Sequence, residues 1–152
     1  MGMVRFTDVM RSEKVSSRAL RERVGRSSPG CLDTPRIAPK QNAEAIDAVQ
    51  RYLVEKTRWG IPALVVDETL HGLLSPGATV FPQAIALGST WNPALVGRVA
   101  AAAAKEARAV GVSQALGPDL DLARDPRWGR VEETYGEDPF LTARMAVAYI
   151  KG

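Results

Sequence analysis

Cysteine is almost missing from this chain. Cys31 is the only one in 152 residues, which excludes an intrachain disulfide framework and any zinc site built from several thiolates. Histidine is equally scarce. His71 stands alone, so a His-rich metal centre is excluded as well. No apolar run approaches the ~20 residues that cross a bilayer as a helix. No G-x-G-x-x-G, P-loop, G-x-S-x-G or H-E-x-x-H pattern occurs, leaving dinucleotide, nucleotide-triphosphate, serine-hydrolase and zincin chemistry without support.

What is present is the balance of one soluble globular domain: 45% hydrophobic and 24% charged residues. The net charge of +3 is unevenly spread. Residues 1–40 carry nine Lys/Arg against four Asp/Glu, and the remainder eleven against thirteen. A basic arm of this kind can contact nucleic acid or membrane. The stretch lacks interleaved aromatics, so neither partner is expected and a loosely ordered, irregular segment is. No apolar h-region follows its charges, as a secretory signal would require, and a cytoplasmic location is expected.

Ser16, Ser17, Ser27, Ser28, Pro29, Gly30 and Pro35 break up residues 1–40. The body is expected from about 41 to 152. Asn42 is a candidate cap for a helix reaching about Arg58, with Ile46, Val49 and Leu53 at helical spacing. Ala63-Leu64-Val65-Val66 reads as a buried parallel strand. Asn92-Pro93 opens a helix with a stripe of Leu95, Val96, Val99, Ala103, Ala107 and Val110, ended by Gly111. Val112–Leu116 reads as the next strand, and Asp138-Pro139 opens the next helix. Long loops follow both strands. The alternation predicts an α/β fold with parallel strands. About two to three β/α units are present, against the eight that close a barrel, so the chain reads as part of a (β/α)8 TIM-type barrel or as a small open α/β domain.

Three clusters could carry chemistry. Asp67 and Glu68 end the first strand, where alternating side chains can point one carboxylate to a barrel axis and the other to a neighbouring loop. Asp67 could equally cap the turn, and His71 reads as a packed loop residue. The run from Asp119 to Arg130 holds three aspartates and three arginines interrupted by Leu, Pro, Trp and Gly. Mutual pairing would rigidify it, and an arginine fork there suits hydroxyls, carboxylates or phosphates. Trp128 could stack on a sugar or pack beneath the loop. Asp119, Asp121 and Asp125 also allow a more distant reading, a divalent-metal phosphotransfer site. The third cluster, Glu132 to Asp138, reads as ion pairing with those arginines, with Asp138 as a cap.

Taken together, GIPALVVDETLHG, PGATVFPQAIALGSTWNPALV, EARAVGV and DLARDPRWGRVEETYGEDPF resemble the N-terminal part of the catalytic barrel of glycoside hydrolase family 3, which includes β-glucosidases and β-xylosidases. The resemblance covers Gly60–Gly152 and is weaker back to Asn42. It implies exo-acting, retaining hydrolysis of terminal β-linked glucose or xylose by two carboxyl groups, with an oligosaccharide or β-glycoside as substrate and no cofactor or metal. It implies that Glu68, three before the His71-Gly72 pair, and Arg130, the last arginine of its run, bind hydroxyls of the sugar at the cleaved bond, with Asp67 beside Glu68. Asp125, Arg127, Trp128, Glu132 and Glu133 would support Arg130. The nucleophile and the acid/base are implied downstream of Gly152, so no catalytic carboxylate is assigned here and the 152 residues alone are expected to be inactive. A noncatalytic carbohydrate-binding or structural remnant would use the same residues.

Overall fold

The computed structural model describes residue 5 and residues 9–11, 14–24 and 29–152. Ser27 and Ser28, among the expected breaks, lie outside them. The described residues form two compact units.

The first unit holds the described residues up to Asp67, together with residues 75–77 and 107–115. Strands β1 (Met10–Arg11) and β2 (Lys14–Val15) pair antiparallel, Met10 opposite Val15. Helix α1 (Ser17–Arg23) follows, its first turn closed by Ser16, whose Oγ accepts the Ala19 N–H at 3.3 Å. Strand β3 (Cys31–Leu32), helix α2 (Pro39–Lys56) and strand β4 (Leu64–Glu68) come next. Strand β5 (Gln114–Leu116) completes a sheet in the order β3–β4–β5, with β3 and β4 parallel and Leu32 opposite Val65. An irregular segment is expected from sequence over residues 1–40, but the described residues there include three short strands and a helix. Strands of two residues are too short to show a period, and they are stabilised by pairing rather than by local pattern.

Helix α2 starts earlier than expected. Pro39, with its fixed φ, occupies the first turn, and Ala38 is the cap residue. Asn42 is not a cap: it is fully buried within the helix, on the face of Ala45, Ile46, Val49 and Leu53. Gln50 on the same helix fixes the entry to β4. Its amide donates to Ala63 O at 2.7 Å and accepts Ala63 N–H at 2.9 Å. Ser113 holds the other side of β4, accepting Val65 N–H on its Oγ and donating its own N–H to Val65 O, both at 2.9 Å. Val65, Val66 and Asp67 are all buried, the mark of a strand covered on both faces. The strand thus extends past Val66 and carries both acidic residues.

The second unit holds residues 68–74, 78–106 and 116–152. Helices α3 (Ala84–Gly88), α4 (Pro93–Ala109) and α5 (Pro139–Lys151) contribute to it. The two proline-led starts are as the sequence implies. Asn92 Oδ1 accepts Leu95 N–H at 3.0 Å, and Asp138 Oδ1 accepts Leu141 N–H at 2.7 Å. Leu87, Val96, Val99, Ala100, Tyr135, Met145 and Tyr149 form its core.

Two polar ties brace the loops of this unit. The Tyr149 hydroxyl, in the core, donates to Thr69 O at 2.6 Å and so anchors the residue after Glu68. Glu106 on α4 accepts the Thr79 backbone N–H at 2.8 Å and the Thr79 hydroxyl at 2.7 Å. Those bonds favour the carboxylate and hold Glu106 below the usual glutamate range. Because the folded value is the lower one, the tie's contribution is complete above the ordinary glutamate range and is lost as pH falls through the folded value. Glu106→Gln should therefore flatten that acid limb of the Thr79 amide shift in an NMR titration. An unchanged acid limb would place the titration elsewhere.

Candidate sugar-hydroxyl site

The site is built on two segments of the second unit: the end of β4 and the loop between β5 and α5. The β4 end supplies Glu68, half-buried, and is held by Leu74 N–H donating to Glu68 O at 3.2 Å. The loop supplies Gly117, Pro118, Asp119, Leu120, Asp121 and Arg130. With Leu70 and Leu116 these line one cavity of about 290 Å³. The peptide Gly117–Pro118 is cis. Gly117 passes close to Thr69: a side-chain carbon on Gly117 would stand 3.2 Å from both Thr69 Oγ1 and the Tyr149 hydroxyl. The tie that anchors the β4 end thus also limits what can stand at the cavity wall.

Arg130 is set by its own loop. A short 3-10 turn, Val131–Glu133, follows it and returns Glu133 to its side. Glu133 accepts from Arg130 Nε at 2.9 Å and Nη2 at 2.6 Å, and Asp119 Oδ2 lies 3.3 Å from the same Nη2. The hydrogen bonds to Glu133 raise the Arg130 guanidinium further above its ordinary range and lower the Glu133 carboxyl. Arg130 is therefore a permanent cation in a fixed orientation.

Of the residues singled out from sequence, Glu68 and Arg130 line one cavity. Asp67 belongs to the first unit. It is buried, takes a short hydrogen bond from the Thr34 hydroxyl and pairs with Arg36 Nη2 at 3.2 Å. Asp125 and Arg127 pair with each other, through contacts of 2.6 to 3.2 Å, on an exposed part of the loop. Among the described residues the hydrogen bonds and ion pairs of Arg130 go to Glu133 and Asp119, so of the expected supports it is Glu133 that bonds it. Trp128 is half-buried. Asp119 was legible in the sequence only as a member of an acidic run; its pairing with Arg130 depends on how the loop folds back. Asp119, Asp121 and Asp125 form no metal-ligating cluster among the described residues.

Residues 9–152 match the family model described as the glycosyl hydrolase family 3 N terminal domain. The chain belongs to glycoside hydrolase family 3. The match begins ahead of the boundary that the sequence suggests near Gln41, and it includes β3. A β-xylosidase of Formosa agariphila is 50% identical over 101 residues, covering 62% of this chain and 14% of that protein. A periplasmic β-glucosidase/β-xylosidase of Dickeya chrysanthemi is 37% identical over 122 residues, covering 75% and 18%. Among solved structures, a β-glucosidase from Erythrobacter marinus superimposes with a TM-score of 0.88 at 39% identity, covering 99% of this chain and 20% of that one. The chain thus spans 14–20% of the length of these relatives. The β/α units described above are the part of a TIM-barrel-type family 3 domain that the sequence implies.

Proposed function

We propose that this chain contributes part of the sugar-binding site of a retaining, exo-acting β-glycosidase that removes terminal β-linked glucose or xylose. The observation that carries this reading is the convergence of Glu68 and Arg130 on one cavity of about 290 Å³. A carboxylate and a guanidinium on one wall suit a ring bearing several hydroxyls. The carboxylate accepts from one hydroxyl, and the guanidinium donates to the oxygen of another. Such bonds strengthen as the ring distorts toward an oxocarbenium-like transition state. Glu68 and Arg130 are assigned to hold the sugar. Asp67, with its carboxylate occupied by Thr34 and Arg36, has at most a supporting part in that work.

Retention requires a nucleophilic carboxylate and a second carboxyl group that protonates the leaving oxygen. The family resemblance puts both on segments other than those matched here, so the 152-residue chain should bind without turning over. Nitrophenyl β-glucoside and β-xyloside are the assay. No release above buffer is expected. Turnover that survives Glu68→Ala would show that another site in the chain does the chemistry.

A further inference from the structure

The cavity wall carries more negative than positive charge. Glu68, Asp119 and Asp121 line it against one guanidinium, that of Arg130. That guanidinium already meets two carboxylates. Glu133 occupies Nε and Nη2, and Asp119, with a side chain only 7% exposed, stands at Nη2 as well. Asp119 is fixed there, because its Oδ1 accepts the Asp121 backbone N–H at 2.9 Å. A guanidinium grips a carboxylate or phosphate through two parallel N–H bonds. Its side edge, Nε with Nη2, is taken by Glu133. Its end edge pairs Nη1 with Nη2, and an anion docking there would meet the Asp119 carboxylate, which lies 3.3 Å from Nη2 without hydrogen bonding to it. Nη1, with two N–H donors, is the nitrogen left to a ligand.

We infer that Asp119 and Glu133 make this cavity reject anions. It takes a neutral polyhydroxylated ring, whose neighbouring hydroxyl oxygens accept from Arg130 Nη1, and it excludes uronic acids and sugar phosphates. Asp119 is then a specificity-determining residue and Glu133 a positioning residue. The inference rests on the sugar-site reading above for its ligand, but its charge logic does not.

Two titrations of the 152-residue chain, read on the Arg130 Nε–H and Glu68 resonances by NMR, separate the two. Inorganic phosphate is the first probe. The parent chain should show no saturable shift, and Asp119→Asn/Glu133→Gln should bind phosphate at least about tenfold more tightly. Asp119→Asn alone keeps the shape of the loop and should move the same way if the double variant misfolds. Equal phosphate binding by parent and variants overturns the inference whatever the sugars do. Methyl β-glucoside and methyl β-glucuronide are the second probes. The glucuronide should bind about tenfold more weakly or worse, and Asp119→Asn should narrow the gap. A glucuronide that binds as well as the glucoside also overturns it. If neither sugar moves the two resonances while phosphate still discriminates parent from variants, the sugar-site reading fails and the anion exclusion stands.

Discussion

Gly88→Ala should lower the melting temperature of the chain by about 10 °C. Gly88 ends α3 and faces the backbone of Tyr135. An added Cβ would overlap the Tyr135 carbonyl oxygen and lie 3.1 Å from its carbonyl carbon. Backbone cannot step aside as a rotamer does, and Tyr135 is itself buried in the core beside Leu87 and Met145. Overpacking of this kind costs roughly 3 kcal/mol or more, which for a domain of this size corresponds to the shift stated. Gly72→Ala should behave similarly, because it combines a φ of +105° with overlap onto the Thr79 carbonyl. Gly129→Ala is the control: nothing lies within 4 Å of its added carbon, and its melting temperature should stay within about 2 °C of the parent. Thermal melts of the three variants decide it. A Gly88→Ala protein that melts with the parent would show that α3 and the Tyr135 backbone are not packed as described.

Arg130→Ala should weaken sugar binding by about ten- to a hundredfold, the scale of losing hydrogen bonds from a charged donor. Arg127→Ala, three residues earlier in the same run, should leave it unchanged. The difference lies in what each arginine touches. Arg127 is spent on Asp125, two residues away, in an exposed pair. Pairs of that kind add little to stability, so Arg127→Ala should change neither affinity nor melting temperature appreciably. Arg130 sits between Glu133 and Asp119 on the wall that it shares with Glu68. Isothermal or NMR titration with methyl β-glucoside beside thermal melts reads both quantities. A loss of affinity in Arg127→Ala at unchanged melting temperature, with Arg130→Ala unaffected, would exchange the roles of the two arginines.

The parts of this fold that were legible in the sequence are those with local causes. Asn92-Pro93 and Asp138-Pro139 announce helix starts, because a side-chain acceptor and a preset φ act within one turn. Gly111 ends α4 at a φ of +94°, a conformation that glycine adopts without strain. Within α2, the spacing of Ile46, Val49 and Leu53 marks the buried face. The parts that were not legible have distant causes. Strands β1, β2 and β3 are two residues each and exist through pairing. Asn42 looks like a cap by type but lies inside α2, because Pro39 starts the helix sooner. Spacing alone suggested how far the strand before Asp67 runs, yet Ser113, 48 positions from Val65, helps to hold it. In the site, Glu68 and Arg130 could be named from motifs. That Glu133 and Asp119 hold Arg130 follows from a 3-10 turn and an Asp119–Asp121 side-chain-to-backbone turn, neither of which has a periodic signature.

The most direct test of the central claim is a ligand map of the 152-residue chain. Methyl β-glucoside and methyl β-xyloside would be titrated separately while backbone and arginine side-chain resonances are followed. Saturable shifts at Glu68, Leu70, Asp119 and Arg130, lost in Glu68→Ala and Arg130→Ala variants that keep the parent fold, are the predicted result. Shifts confined to another cavity, of about 450 Å³ around Trp91, Arg124 and Tyr135, with Glu68 and Arg130 unmoved, would contradict it.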